Sequence, residues 1–272
     1  MTGDSPAGEQ PAEKLDTSVP HSARVWNYWL GGKDNFAADR ELGDQIKGFF
    51  PDIIDIARES RLFLTRAVRY LAGEAGIQQF LDIGTGLPTA DNTHEVAQRI
   101  NPYARIVYVD NDPLVLVHAR ALLTGPPEGS TDYLDADVRD PDTILREAKK
   151  VLNFAEPIAL MMLGILGNVE DYDQARSILD RLVAALAPGS YLVVNDGTNV
   201  INPAARDEAT RVSIKAGTPY IARHPDQITG FFHDLELVEP GVVSSSRWRP
   251  DTDPEADDPA EVDVFCGVAK KP

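Results

Sequence analysis

The run Phe80-Leu81-Asp82-Ile83-Gly84-Thr85-Gly86-Leu87-Pro88-Thr89 is the part of the chain best suited to hold a ligand. Glycines let a strand turn sharply and let a bound group approach the backbone, in space that any side chain at Gly84 or Gly86 would occupy. A tight strand-to-helix turn without a ligand would use the same residues. Asp110 closes the apolar run 106–109, where a carboxylate can accept hydrogen bonds from two ribose hydroxyls of an adenosine ligand. Asp137 follows the run 131–134; it can accept from an adenine amino group while Val138 packs on the ring, or it can cap the helix that starts near Pro141.

Two residues bear on which adenosine ligand this is. A dinucleotide-binding turn wants a third glycine or alanine at position 89, for close helix packing and pyrophosphate access, and here Thr89 follows Pro88. Asp82 would repel a pyrophosphate at close range, but it suits the cationic amino group of a methionine moiety. Asp82 and Asp110 together therefore favour S-adenosylmethionine over NAD. Methyl transfer from a sulfonium is an in-line displacement whose electrophile the cofactor brings, so alignment and desolvation can suffice and a general base is optional. The candidates for such a base are His94, at the start of the first helix after the turn, and Asp196, in Asn195-Asp196-Gly197 at the end of a strand. Asp196 serves equally well as a turn residue, Asp-Gly being a strong turn pair.

These residues need a scaffold that brings strand ends together. The segment 19–70 has apolar residues spaced three or four apart, which predicts an N-terminal helical cap with a turn at Leu30-Gly31-Gly32-Lys33-Asp34-Asn35. From residue 79 onward, short apolar runs alternate with amphipathic segments, the pattern of a parallel sheet covered by helices. Strands are expected at 80–83, 106–109, 131–134, 158–163, 191–195, 235–238 and 262–268. Helices are expected at 92–100, 113–123, 141–151, 172–186, 203–216 and 225–232. The fold class is thus α/β, doubly wound, with a seven-stranded and mostly parallel sheet. The last two strands have no helix between them, only a connection ending in the Pro- and Asp-rich segment 250–260, so they should pair antiparallel. Residues 1–18 read as a disordered tail and 19–272 as one domain, divided into the cap (19–75) and the Rossmann-like core (76–272).

Composition narrows the class of protein. Over 272 residues, 43% are hydrophobic and 25% charged, as in ordinary globular proteins with a sizeable core. A net charge of −17 disfavours nucleic acid as partner, because backbone affinity comes from clustered Lys and Arg, and so favours a small-molecule substrate. The apolar runs fall well short of the ~20 residues of a membrane span. Residues 1–13 lack the basic start and apolar stretch of a secretory signal. The expected location is the cytoplasm. The single cysteine, Cys266, alternates with Val262, Val264 and Val268 like a buried strand residue. No His, Cys and carboxylate cluster has metal-ligand spacing, so no metal is expected.

The order Asp82-x-Gly84-x-Gly86, Asp110, Asp137 resembles the class I methyltransferase fold. More specifically, Ser22-Ala23-Arg24-Val25-Trp26-Asn27-Tyr28-Trp29-Leu30-Gly31-Gly32-Lys33-Asp34-Asn35-Phe36 resembles the N-terminal signature of a bacterial S-adenosyl methyltransferase family, once catalogued as a domain of unknown function. The resemblance continues through Asn92-Thr93-His94, Tyr108-Val109-Asp110-Asn111-Asp112-Pro113 and Trp248-Arg249-Pro250, over roughly residues 19–268. It implies a sheet whose last strand is antiparallel, and it supplies no acceptor. The cofactor-binding residues expected are Asp82, Gly84, Thr85, Gly86, Asp110, Asn111, Asp137 and Val138, with backbone contacts from Leu163 and Gly164. Gly32, Lys33 and Asn35 belong to a candidate lid over the methionine end, or to a turn fixing two helices. One position departs from the family: after the fourth strand many relatives have a Leu-His pair, whereas Gly167 follows Leu166 here. A non-catalytic protein that binds the same cofactor is the alternative to an enzyme.

Overall fold

The computed structural model describes residues 15–122, 129–251 and 258–272. Most of the tail expected over 1–18, most of the acidic stretch 250–258 and the last position of the helix expected over 113–123 lie outside the described residues.

The helical pattern of the N-terminal segment resolves into α1 (Ser22–Trp29), α2 (Ala37–Phe49) and α3 (Ile53–Arg69). The first two are oriented by a single buried acid. Asp39 accepts from the backbone N–H of His21 at 2.9 Å, just before α1, and from that of Phe36 at 2.8 Å, just before α2. Their apolar stripes meet in a cluster built on Val25, Leu42, Ile46, Ile53 and Ile56.

The alternating part of the chain runs β1 (Gln79–Ile83), α4 (Thr93–Ile100), β2 (Arg105–Asp110), α5 (Pro113–Leu122), β3 (Ser130–Asp135), α6 (Pro141–Ala148), β4 (Ala159–Leu163), α7 (Tyr172–Ala184), β5 (Tyr191–Gly197), α8 (Pro203–Lys215), α9 (Pro225–Gly230), β6 (Glu236–Leu237), β7 (Val243–Ser244) and β8 (Val264–Lys270). Starts are marked chemically. Proline stands at the first position of α6, α8 and α9, where no N–H is needed, and Asp140 and Asp171 cap α6 and α7 through their side chains. The cap before Pro141 is therefore Asp140 rather than Asp137.

The main path of the sheet is β3-β2-β1-β4-β5-β8-β6, parallel from β3 to β5, with β8 antiparallel to both β5 and β6. The pairing of the two last expected strands is as anticipated. An eighth strand, β7, adds a two-residue antiparallel pairing to β8, too short to leave a period-2 pattern in the sequence. All five residues of β1 are buried, because helices cover both faces and strand residues alternate between them. Phe80 packs with Phe63 of α3 and Val96 of α4, while Leu81 and Ile83 pack with Ile144 of α6 and Ile178 of α7.

Two motif residues serve this packing. Trp248 is fully buried, edge-on to Phe63 at 5.4 Å and to Tyr70 at 6.0 Å, and Arg66 donates to its carbonyl oxygen at 2.9 Å. This fastens α3 to the segment before β8. Cys266 is buried on the same face, and burial pushes its thiol well above the usual range, which leaves it a small core residue. Among the described residues, no helix is long and apolar enough to cross a membrane.

Candidate active site

The strand order reverses between β1 and β4: the chain leaves β1 toward β2 and β3 on one side and continues from β4 toward β5 on the other. Helices leaving the two strands diverge and open a crevice at their carboxyl ends, where open α/β sheets place ligands. Asp82, near the end of β1, and the turn Gly84 to Gly86 after it border that crevice, as do Leu163, the last residue of β4, and Gly164.

The turn after β1 is built for glycine by its backbone angles, and at Gly84 by lack of room as well. Gly84 and Gly86 have φ of +78° and +66°, in the left-handed region that glycine enters without strain. A Cβ at Gly84 would lie 2.6 Å from Ile165, whereas one at Gly86 would meet nothing within 4 Å, so the open space is at Gly86. The turn is pinned by Gly84 N–H donating to the Val109 carbonyl at 2.8 Å and by Gly86 N–H donating to Asp110 at 2.8 Å. Asp110 also accepts from the Asp112 N–H, at 2.9 Å. One bond to each of its oxygens leaves further lone pairs for a ligand on the cavity side.

Burial governs the acids here. Asp82 is raised to about 6, chiefly by desolvation and also by Asp110, against the opposing effects of the Thr93 hydroxyl at 2.6 Å and of Arg61. Asp110 is also raised by burial, despite its two backbone donors. Burial pushes Asp112 upward too, but His21, at 3.0 Å, the Leu114 N–H and Arg24, at 3.3 Å, hold it below the usual carboxylate range. For Asp82 the sign is definite. The folded chain keeps a proton that the unfolded chain releases, so the stability it contributes is fully present below the unfolded value near 4 and is lost as pH rises through about 6. Asp82→Asn is expected to stabilise the free protein at pH 7.5 by about 3 kcal/mol and to leave it nearly unchanged at pH 4. Urea unfolding at the two pH values checks this, and an equal effect at both would remove the argument.

The crevice has two connected parts that share His21, Ser22, Gly84, Asp110, Asn111, Ile165, Asn168 and Thr218. One, of about 560 Å³, is lined by Asp110, Asn111, Asp137 and Val138 and covered by residues 15–24; its volume lies within the roughly 300–1,000 Å³ of small-molecule sites. Asn111 donates to Asp137 at 3.3 Å, and Asp137 also accepts from the Arg139 N–H at 2.8 Å. The other part is lined by Asp82, Thr85, Gly86, Leu163 and Gly164 on the sheet side. Its opposite wall is apolar, from α1, α2 and α3, with Trp26, Trp29, Ile46 and Ile53.

Five expected residues take other places. His94 lines neither part: its backbone N–H donates to the Tyr108 hydroxyl at 2.8 Å and its ring nitrogen lies 2.9 Å from the same oxygen. Asp196 is fully buried and also lines neither part. Its carboxylate is engaged by the Tyr220 hydroxyl, by Arg223 at 3.2 Å and by the Gly197 N–H at 3.1 Å. Neither is placed to take a proton from an acceptor in the crevice. Gly32, Lys33 and Asn35 are absent from both linings. The Asn35 amide donates to Asn27 and to the Gly32 carbonyl, each at 3.0 Å, and a side chain at Gly32 would run into the Asn27 amide. The segment is a turn closed on Asn27 that joins α1 to α2.

Sequence reasoning passed over His21, Arg61, Arg206 and Tyr220, all of which line the crevice. The one available signal was Asn111-Asp112-Pro113, since Asp112 is what seats His21 and Arg24. Gly167 has a structural reason: a Cβ there would lie 2.5 Å from the Tyr220 ring.

A family model described as S-adenosyl methyltransferase matches residues 8–272. A DUF574 family protein from Streptomyces avermitilis MA-4680 is 42% identical with a TM-score of 0.90, the match covering 95% of this chain and 100% of that one. A candidate methyltransferase from Thermobifida fusca YX is 45% identical with a TM-score of 0.87, over 96% of this chain and 98% of that one. An O-methyltransferase family protein from Burkholderia thailandensis, 14% identical with a TM-score of 0.53 over 81% of this chain and 59% of that one, shares the fold. No curated protein matches the chain.

Proposed function

Because the chain belongs to the S-adenosyl methyltransferase family, we propose that it transfers the methyl group of S-adenosylmethionine to an oxygen or nitrogen of a small molecule lodged between α1–α3 and the carboxyl ends of β4 and β5. The observation that carries this is the meeting of Asp82, the open turn at Gly86 and the half-engaged carboxylate of Asp110 at the point where strand order reverses. Those residues fit the donor. Asp110 accepts from its ribose hydroxyls, Asn111, Asp137 and Val138 face its adenine, and Asp82 balances its ammonium group. Thr85, Leu163 and Gly164 border the methionine portion. Arg61 lines the same part and has no carboxylate within ion-pair distance among the described residues, so it takes the methionine carboxylate.

When bound, S-adenosylmethionine supplies a methyl group on a sulfonium, an electrophile that needs alignment more than activation. This chain's own contribution is to align the acceptor and exclude water, through the apolar wall of Trp26, Trp29, Ile46 and Ile53. With His94 and Asp196 both engaged elsewhere, the acceptor atom needs a free lone pair of its own at working pH. The net charge of −17 supports a small molecule over a nucleic acid, and we place the protein in the cytoplasm.

Calorimetry with S-adenosylmethionine, S-adenosylhomocysteine and NAD tests the cofactor site: the first two are expected to bind and NAD is not, and preferential NAD binding would overturn the assignment. Labelled methyl donor with a metabolite extract is expected to label a small product. Tight cofactor binding without any transfer would replace the enzyme by a binding protein.

A further inference from the structure

At the acceptor end of the crevice lies a buried cation that, among the described residues, makes no direct ion pair. Arg206, on α8, is only 5% exposed and lines the crevice. Its Nε donates to the Thr198 carbonyl at 3.1 Å, and a terminal nitrogen reaches the Asp263 carbonyl at 3.5 Å. Two of its five N–H groups are thus accounted for, both by neutral oxygens. Its guanidinium carbon sits 5.7 Å from the centre of the Phe50 ring and 5.5 Å from that of Tyr220. Among the described residues no carboxylate lies within 4.0 Å of it.

The acids nearby are already committed. The carboxylate of Asp263 accepts from Thr198, Val200, Ile201 and Asn202, at 2.6 to 3.1 Å. Asp196 is taken by Arg223 at 3.2 Å, by the Tyr220 hydroxyl and by the Gly197 N–H, so neither acid makes a direct ion pair with Arg206. A buried cation is retained at a cost unless something negative joins it. Gly197 supports the arrangement, since a side chain there would collide with the Arg206 guanidinium.

Arg206 stands apart from the cofactor's own charges. Asp82 and Arg61 gather at β1, and Gly197 ends β5, two strands away across β4, a separation of roughly 10 Å at strand spacing. Thr210 and Ser213 also line the crevice, the Thr210 hydroxyl donating to the Tyr220 carbonyl at 3.1 Å. The pocket therefore offers one positive charge, a few hydroxyls and an aromatic wall.

We propose that Arg206 is the anion-binding residue of the acceptor pocket, and that the acceptor is a small molecule with an apolar, ring-sized body bearing one carboxylate. One unpaired charge balances a carboxylate, whereas a phosphate monoester would bring close to two. A planar guanidinium also presents paired donors that match a carboxylate. The inference rests on the methyltransferase reading of the same crevice.

The test uses the full-length chain saturated with S-adenosylhomocysteine. Indole-3-acetate, 4-phenylbutyrate and octanoate are titrated against their primary amides, with binding followed by calorimetry and by tryptophan fluorescence. At least one acid is expected to bind about tenfold or more tightly than its amide. Arg206→Gln should erase that preference, Arg206→Lys should keep part of it, and neither should change affinity for S-adenosylhomocysteine by more than about twofold. Amides binding as tightly as acids, no acid binding, or loss of S-adenosylhomocysteine affinity in Arg206→Gln would each overturn the proposal. If Arg206→Gln fails to fold, the acid and amide comparison on the wild-type chain decides alone. Failure of the wild-type chain to bind S-adenosylhomocysteine would defeat the methyltransferase reading, and it would be seen before any acid is added.

Discussion

Asp110→Ala is expected to weaken S-adenosylhomocysteine binding by roughly a hundredfold or more, since two charge-assisted bonds to ribose hydroxyls at about 1.5 kcal/mol each amount to ~3 kcal/mol. The substitution also removes the acceptor for the Gly86 and Asp112 N–H groups, so the turn that shapes the site relaxes along with it. Asp110→Asn separates the two contributions: it keeps one acceptor oxygen and the side chain's shape, and should fall between wild type and Ala. Calorimetry gives the affinities, and a thermal melt shows that the variant is folded. Unchanged affinity in a folded Asp110→Ala protein would remove the ribose role.

The largest loss of stability is expected from Arg223→Met. Arg223 is 2% exposed and donates to Asp196, to the Leu166 carbonyl at 2.8 Å and to the Val169 carbonyl at 2.5 Å, so it ties the turn after β4 to the end of β5. Removing it leaves a fully buried carboxylate without its ion-pair partner, a change that costs about 3–5 kcal/mol. At about 2–4 °C per kcal/mol for chains approaching this size, the melting temperature should fall by roughly 10 °C. The loss should grow with pH. Asp196 is raised by burial and is held down by Arg223, by the Tyr220 hydroxyl and by the Gly197 N–H. Without Arg223 the carboxyl rises further, so the folded state is penalised above the unfolded carboxylate value and is nearly spared below it. Adding Asp196→Asn should recover much of the loss. A loss below about 1 kcal/mol at pH 7 would show that Asp196 is not ionised in the fold.

Features that depend on neighbours in the chain were readable from the sequence. Val107 and Val109 line one face of β2 and Ile106 and Tyr108 the other, because side chains alternate along a strand. The order of Asp82, Gly84, Gly86 and Asp110 placed the carboxylates and the turn at successive strand ends, where the sheet brings them together. Six of the seven expected strands correspond to strands of five to seven residues, while β6 kept only two residues of its expected four and β7 left no trace.

What the sequence determined alone was thus the α/β alternation, the turn that opens the crevice and the class of cofactor it admits, since each rests on residues a few positions apart. The tertiary structure decided which polar groups are free to act. Asp196 meets Tyr220 and Arg223, 24 and 27 residues away, and His94 meets Tyr108, 14 residues away. Both candidate bases are consumed by partners that no local pattern announces. Gly32 and Asn35 close on Asn27 across the α1–α2 turn instead of reaching the cofactor. Arg206 became conspicuous only because Asp263, 57 residues on, turns its carboxylate to backbone N–H groups and leaves the guanidinium facing the crevice. Periodicity tells which face of an element is buried; whether a buried charge has found its counter-charge depends on contacts between distant elements, and that balance selects the groups left for chemistry.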